Sequence, residues 1–215
     1  PSFAQVWALG FMFAVENWPD EWATPKDKEA AKWYDLSLEA VVALTEALGP
    51  ARLLTALDKA GVRYDMPEGQ PGLAIALGGI GVTLQDMVQL YAAIARGGAT
   101  LPLRWRTDTP HEEGQRLLAT TSAWFVGDIL AGLAPPPGAP SNRLAYKTGT
   151  SYGHRDAWAI GYDGRHVIGV WMGRPDGTPV PGAFGADLAA PVLFQAFARL
   201  KPALDPQPSA PPATL

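Results

Sequence analysis

Residues 144–173 decide the fold, and their sequence is LAYKTGTSYGHRDAWAIGYDGRHVIGVWMG. Three short runs of β-branched, aromatic and small apolar residues alternate with glycine-containing turns, a pattern typical of strands. The predicted strands cover 144–150, 157–162 and 166–173. Asp163-Gly164, between the last two strands, is a strong signal for a two-residue hairpin turn. The stretch therefore predicts an antiparallel three-stranded meander.

Outside the meander, helical periodicity and capping residues predict five helices. The first begins at Thr24-Pro25-Lys26-Asp27 and ends at Gly49-Pro50, and the others cover 51–60, 83–97, 122–133 and 185–200. One more short strand is predicted at 101–105. Helices followed by an antiparallel meander and a closing helix predict an α+β fold.

The composition is that of a globular domain. The 215 residues are 47% hydrophobic and 18% charged, and the net charge of -4 argues against a nucleic-acid partner. Without cysteine there is no disulfide or thiolate metal site, and the three histidines, His111, His154 and His166, lack metal-ligand spacing. We therefore predict no metal and no cofactor. His154 is predicted to lie on a surface loop.

The two ends of the chain differ from the rest. Residues 1–15 are apolar and aromatic, but a membrane span needs about 20 apolar residues, and the basic start of a signal peptide is missing. A buried strand or helix is the simpler expectation for them. There is no initiating Met, so we expect the chain to be cut from a longer one. Residues 201–215 are rich in proline and alanine and are predicted to be a linker or tail.

Lys147-Thr148-Gly149-Thr150, on the first strand of the meander, is the candidate site. An ammonium group and two hydroxyls suit a peptide-like carboxylate. Gly149 has no side chain, so a substrate backbone can approach the strand closely. An extended peptide could also pair with the strand's edge. Four residues alone are a weak signal.

The surrounding sequence resembles the transpeptidase domains of class A penicillin-binding proteins, in particular the 1C type. Lys-Thr-Gly is one of three motifs of serine penicillin-recognising enzymes, beside S-x-x-K and S-D-N. The resemblance rests on the strands after Lys147, on residues 72–98 with Leu77-Gly78-Gly79-Ile80-Gly81-Val82-Thr83, and on the closing helix over 185–200. It covers roughly residues 36–200.

The resemblance implies a penicillin-binding, serine β-lactamase-like fold, in which an antiparallel sheet is flanked by helices and the N-terminal part is incomplete. Residues 1–200 would be a partial transpeptidase domain with 1–30 unassigned, followed by the tail. The implied reaction is acyl transfer on peptidoglycan stem peptides ending in D-Ala–D-Ala, in which β-lactams acylate the same serine. The parent protein would be anchored in the bacterial inner membrane and face the periplasm. Any membrane attachment would come only through missing upstream sequence, because these residues contain no anchor.

The resemblance also assigns roles to the motif. Lys147 would act in catalysis by polarising the proton relay, and it would attract the substrate carboxylate. Thr148 and Thr150 would bind that carboxylate beside Gly149. The Thr150 backbone N–H would form half of an oxyanion hole, and one such donor typically lowers the barrier by about 3–4 kcal/mol.

Two departures from the family pattern bear on catalysis. None of the six serines, Ser2, Ser37, Ser122, Ser141, Ser151 and Ser209, begins an S-x-x-K motif, so the family's activated nucleophile is missing. Ser37-Leu38-Glu39 stands where the family has S-x-N. Ser37 is a candidate catalytic proton relay or an ordinary helical serine. Glu39 would repel a substrate carboxylate or pair with Lys147.

Three functions stay open. The chain is a transpeptidase fragment whose nucleophile lies on missing sequence, a non-catalytic relative that binds peptidoglycan peptides or a partner, or an interaction module that keeps only the fold. A serine β-lactamase is a weaker rival, because no hydrolytic Glu can be placed. Gly78-Gly79-x-Gly81 lacks the ending of a phosphate loop. Trp158 and Trp171, on neighbouring strands, are predicted to pack in the core rather than line the cleft.

Overall fold

A computed structural model of the chain describes residues 28–66, 72, 75–76, 78–110 and 112–211. Its helices and small antiparallel sheets confirm the α+β class. The chain divides into two compact units, Pro1–Leu57 with Tyr64–Gly81, and Asp58–Arg63 with Val82–Leu215. The two units are described separately below.

The first unit contains helix α1 (Lys28–Leu48), most of α2 (Pro50–Lys59) and strand β1 (Tyr64–Asp65). The predicted break at Gly49-Pro50 is confirmed, because Gly49 has a φ of +79° and Pro50 is the first residue of α2. The predicted helix start at residues 24–27 lies outside the described residues. No single described helix has the length and apolarity to cross a membrane; Glu39–Leu48 and Pro50–Lys59 meet the criterion only as a pair bent by 77°.

The second unit begins its regular structure at β2 (Gly81–Val82), which bridges the two units in sequence, and α3 (Leu84–Ala95). Thr83 caps α3 as predicted, since its side-chain oxygen accepts the Asp86 N–H at 3.1 Å. Beyond Gly97 and Gly98, β3 (Ala99–Thr100) pairs with β4 (Gln115–Arg116), and α4 (Thr120–Ala131) follows.

The prediction of a strand at 101–105 is wrong. The strand lies earlier, at β3, and residues 101–105 form no strand. Trp105 is 78% exposed, so its apolar side chain has no core to enter. A short run that contains apolar residues does not by itself distinguish a buried strand from an exposed loop.

The predicted meander is confirmed as β5 (Ala145–Thr150), β6 (Asp156–Tyr162) and β7 (Val167–Gly173), paired antiparallel in that order. The predicted hairpin is confirmed, but its tip lies one residue later than Asp163-Gly164: four residues, 163–166, join β6 to β7, and the Asp163 N–H donates to His166 O at 3.1 Å, which leaves Gly164 and Arg165 at the tip. The Asp163 carboxylate accepts the N–H groups of Arg165 and His166 at 2.9 and 2.8 Å, which supports the longer turn.

Each face of this sheet packs against helices. On one face Tyr146 and Ala159 contact Leu193 and Phe194 of the closing helix. That helix begins with a π-helical turn (Gly185–Ala189) and continues as α5 (Ala190–Leu200). On the other face Ala145 and Tyr162 pack with residues of α3 and α4, namely Tyr91, Ile94, Ala95, Leu130 and Ala131. The sheet is therefore the middle layer of the second unit.

Residues 201–211, the described part of the tail, contain no helix or strand but are bonded to the β6–β7 turn. Asp163, only 2% exposed, accepts the Asp205 N–H at 2.8 Å through its carboxylate. The Lys201 ammonium contacts both the Asp163 carboxylate and, at 2.5 Å, that of Asp205. Burial alone would raise the pKa of Asp163, but bonds from Lys201 and from three backbone N–H groups outweigh it and lower the pKa from 3.8 to about 2.

We expect Asp163→Asn to destabilise the second unit in a pH-dependent way. The folded state binds the Asp163 proton more weakly than the unfolded state, so the stabilisation is present above about pH 4 and is lost as the pH falls toward 2. At pH 7 the free energy of unfolding should fall by about 2 kcal/mol, and the difference from wild type should shrink below pH 3. Urea unfolding followed by circular dichroism measures this.

The matched control is Asp58→Asn, at an exposed aspartate of α2. It should leave the unfolding midpoint nearly unchanged. A loss at Asp163 that is equally large at pH 2.5 and pH 7 would contradict an origin in the carboxylate's charge.

Candidate functional site

The Lys147–Thr150 motif occupies an edge strand. Within the described part of the chain, β5 pairs with β6 on one side and with no strand on the other. The Ser151 N–H donates to Asp156 O at 3.0 Å in the same register. Because antiparallel strands exchange hydrogen bonds at every second residue, the backbone N–H and C=O groups of Thr148 and Thr150 point to the outer edge. The motif therefore presents backbone donors and acceptors in the way that an added peptide strand requires.

The Lys147 ammonium lies at this outer edge. Its Nζ donates to Thr148 O at 2.7 Å, and that carbonyl points outward. Lys147 is exposed in overall surface area, yet partial burial of the ammonium lowers its pKa from 10.5. Successive strand residues point to opposite faces, so Lys147 flanks the edge on one side while Thr148 and Thr150 flank it on the other. A carboxylate at the edge could contact both kinds of group.

The start of the closing helix holds Thr150 in place. The Gly185 N–H donates to Thr150 Oγ1 at 3.1 Å, which leaves the hydroxyl hydrogen available for another acceptor. A methyl group at Gly185 would lie 2.3 Å from Gly149 O and 2.6 Å from Trp158 O. Only glycine permits this approach of the π-helical turn to the sheet. The importance of Gly185 was not predicted, because a close backbone approach leaves no local sequence pattern.

His154 and Phe184 lie next to this end of β5. The prediction that His154 is a surface residue is wrong: it is 7% exposed and has a φ of +52° in the short 3-10 turn Tyr152–His154. Its ring meets the edge of the Phe184 ring with centroids 4.6 Å apart. Phe184 precedes Gly185 and is 39% exposed, so it covers His154 while facing solvent. The sequence neighbours of His154 indicate a loop, but packing against Phe184, which is distant in sequence, buries its ring.

The two tryptophans do not lie in the core, and that prediction is wrong. Trp158 and Trp171 are half-buried and stack at a tilt with ring centroids 6.4 Å apart. Trp171 Nε1 donates to Asp156 Oδ1 at 2.7 Å. Trp158 pairs with Gly149, and Trp171 pairs with Trp158, so the two tryptophans lie directly across the sheet from the motif. The Asp156 carboxylate thus holds the Trp171 indole in position.

Ser37 and Glu39 lie in the first unit, whereas Lys147, Thr148 and Thr150 lie in the second. The backbone of Ser37 belongs to the single helix α1, and its side chain is outside the described atoms. Glu39 is exposed. The role of Ser37 as a proton relay therefore stays a prediction.

Neither of two cavities in the second unit is lined by the motif. These cavities, with volumes of about 270 and 550 Å³, lie beside the tail. Among the described residues, Asp163, His166 and Asp205 place three potential metal-ligand atoms within 4.8 Å of one another. The Lys201 ammonium already contacts both carboxylates and supplies a positive charge there.

Curated proteins have sequences similar to this chain. Penicillin-binding protein 1C of Escherichia coli is 47% identical over 165 residues, which are 74% of this chain and 21% of that protein. The chain belongs to the class A penicillin-binding proteins. Penicillin-binding protein 1B of Vibrio cholerae is 31% identical over 67% of this chain and 21% of its own length. The chain thus spans about a fifth of the length of these two relatives. No family model matches the sequence.

Solved structures of the same class share the fold. Penicillin-binding protein 1A of Haemophilus influenzae superimposes with a TM-score of 0.60 at 18% identity, over 80% of this chain and 34% of that one. PonA1 of Mycobacterium tuberculosis, solved with penicillin V, gives 0.55 at 22% identity over 76% and 52% of the two chains. The predicted penicillin-binding transpeptidase-like fold is confirmed.

Gly185→Ala should destabilise the second unit by about 1–3 kcal/mol, because the new methyl group would overlap two backbone carbonyls. It should also speed hydrogen exchange in β5. Gly132→Ala is the control, since a methyl group there lies no closer than 3.4 Å to its neighbours and φ is an ordinary -86°. Thermal unfolding and amide exchange measure both effects. Equal stability of the two variants would show that the close approach does not matter.

Proposed function

We propose that this chain is part of a peptidoglycan D,D-transpeptidase domain, the part that holds the C-terminal carboxylate of a stem peptide ending in D-Ala–D-Ala. One observation carries the proposal: the Lys147–Thr150 motif lies on an edge strand whose Thr148 and Thr150 backbone groups point outward. The chain's membership of the class A penicillin-binding proteins supports the same reading. As its family implies, the whole protein would be anchored in the bacterial inner membrane and face the periplasm.

The chemistry of the edge suits an acyl-transfer substrate. The peptide backbone would pair with the outward groups of Thr148 and Thr150 as an added antiparallel strand. The Lys147 ammonium and the Thr150 hydroxyl would bind the carboxylate from the two faces. The outward Thr150 N–H would donate to the oxyanion that forms when the scissile carbonyl is attacked. β-Lactams carry a carboxylate and an acylating carbonyl, and would use the same groups.

The nucleophile is the missing part. No serine of the 215 residues begins an S-x-x-K motif, so the acyl-enzyme of the family route has no serine to form on. A specific observation therefore favours a second function, a non-catalytic module that binds peptidoglycan peptides. The Lys147–Thr150 motif is intact in the sequence, while no S-x-x-K motif accompanies it.

A fluorescent penicillin should leave no stable adduct on this chain. The expectation follows from the missing Ser–Lys pair, because a lone serine hydroxyl at neutral pH is a poor nucleophile. Gel fluorescence with intact-protein mass spectrometry makes the measurement, and an active penicillin-binding protein labelled in parallel is the positive control. A stoichiometric adduct, mapped to any of the six serines, would contradict the expectation.

An acyl-D-Ala–D-Ala peptide should bind the chain weakly and saturably, and Lys147→Ala should weaken binding roughly tenfold or more. A hydrogen bond to a charged group contributes about 1.5–3 kcal/mol, which sets that factor. Chemical shift changes of the β5 amides measure binding. Lys59→Ala, at an exposed lysine of α2, is the matched control and should bind like wild type. The peptide-binding function is wrong if wild type and Lys147→Ala both fail to bind.

A further inference from the structure

The tail carries a second feature that the proposed function does not use. Residues 206–211, called the strap here, contain three prolines in six residues and form no helix or strand. The strap lies along a groove between α3 and α4, lined mainly by small side chains and two aromatic rings, with the Arg143–Asp128 ion pair also on its wall. The small and aromatic lining residues include Ala95, Ala123, Trp124, Gly127, Ala131 and Tyr162.

Two hydrogen bonds join the strap to the groove, one to a strap carbonyl and one from a strap side chain. Trp124 Nε1 donates to Pro208 O at 3.2 Å, and Gln207 Nε2 of the strap donates to Tyr162 O at 3.3 Å. Proline has no N–H, so a proline-rich segment cannot donate a regular ladder of hydrogen bonds, and its carbonyls are what a partner can bind. Aromatic-lined grooves are the surfaces that bind extended proline-rich segments.

The chain passes close to the β6–β7 turn at the point where the strap begins. A methyl group at Gly164 would lie 1.9 Å from Pro206 O, so this glycine leaves room for the chain. The φ of Gly164 is not in the left-handed region, which means that the turn itself does not require glycine there. The Gly164 N–H donates to Asp205 O at 3.1 Å, and the Asp205 N–H donates to the Asp163 carboxylate. Asp205 is therefore a latch at the start of the strap.

The strap fills the groove incompletely. A cavity of about 270 Å³ remains among the strap, α3 and α4. The Tyr162 hydroxyl, in a residue only 2% exposed, has no hydrogen-bond partner among the described residues. Contacts that the cavity leaves unmade reduce the attachment of the strap to the groove. The latch and the groove hold different parts of the strap: the latch holds its start, and the groove contacts the residues that follow.

We propose that the groove between α3 and α4 is a recognition site for a proline-rich peptide, and that residues 206–211 occupy it in cis as a displaceable ligand. The partner is an extended, uncharged segment with prolines at alternating or near-alternating positions, since that is the chemistry of the occupant. The site lies on the Tyr162 end of β6, and Lys147, Thr148 and Thr150 do not line it.

The test releases the strap in the full chain without changing the groove. Asp205→Pro removes the latch N–H and carboxylate, and Ala203→Pro, at an exposed neighbour with no hydrogen bond of its own to the turn, is the matched control. The indole N–H resonance of Trp124 is followed by NMR. It should move in Asp205→Pro and stay in place in Ala203→Pro, while the β5–β7 amides keep their folded positions.

A synthetic peptide with the sequence of residues 203–212 is then added. It should return the indole resonance of Asp205→Pro toward the wild-type position saturably. Wild type and Ala203→Pro should bind the peptide at least about tenfold more weakly than Asp205→Pro does, because their docked strap competes for the groove. A peptide with Gly in place of Pro208 and Pro211 should bind several-fold more weakly, since it is less pre-organised.

Three outcomes would overturn the proposal: an unmoved indole resonance in Asp205→Pro, equal peptide affinity for wild type and Asp205→Pro, or equal affinity for the proline and glycine peptides. If Asp205→Pro does not fold, Trp124→Phe replaces it. That variant keeps an aromatic ring and loses the N–H donor, so the Gln207, Ser209 and Ala210 amide resonances should shift toward random-coil positions while those of β6 stay in place. Unmoved resonances of those three amides would equally overturn the proposal.

Discussion

The close contact between Gly185 and the backbone of β5 and β6 is the constraint on which the candidate site depends. It brings the N-terminal turn of the closing helix onto the sheet and points one N–H at the Thr150 hydroxyl. The same helix then supplies Leu193 and Phe194 to the core. One glycine therefore links the packing of the second unit to the orientation of its candidate substrate-binding hydroxyl.

Register matters to this site as much as residue identity. Ser151 and Asp156 fix the register twice, because the Ser151 N–H donates to Asp156 O and the Asp156 N–H donates to Ser151 Oγ. A slip by one residue would turn the backbone groups of Thr148 and Thr150 inward and exchange the faces of all side chains. The serine after the motif thus acts on the site through strand pairing, without touching a substrate.

Much of the fold could be predicted because its signals are local. Alternating residues in the meander and the Thr83 cap of α3 needed only a few neighbouring positions. Lys147, Thr148 and Thr150 could likewise be found from a motif. The burial of His154 and the contact of Gly185 could not, since both depend on residues far away in sequence. The four-residue turn escaped prediction for a related reason: the Asp163 carboxylate supports it together with the tail.

The sheet of the second unit ends in β5 on one side, and within the described residues it ends in β7 on the other. Unpaired strand edges are templates for further strands, including those of other copies. Gly169, in the middle of β7, would place a methyl group 2.5 Å from Val88, so bulk cannot be added there to block such growth. Charged residues introduced at the exposed end of β7, near Met172, are therefore the change that would oppose edge-to-edge pairing of this unit.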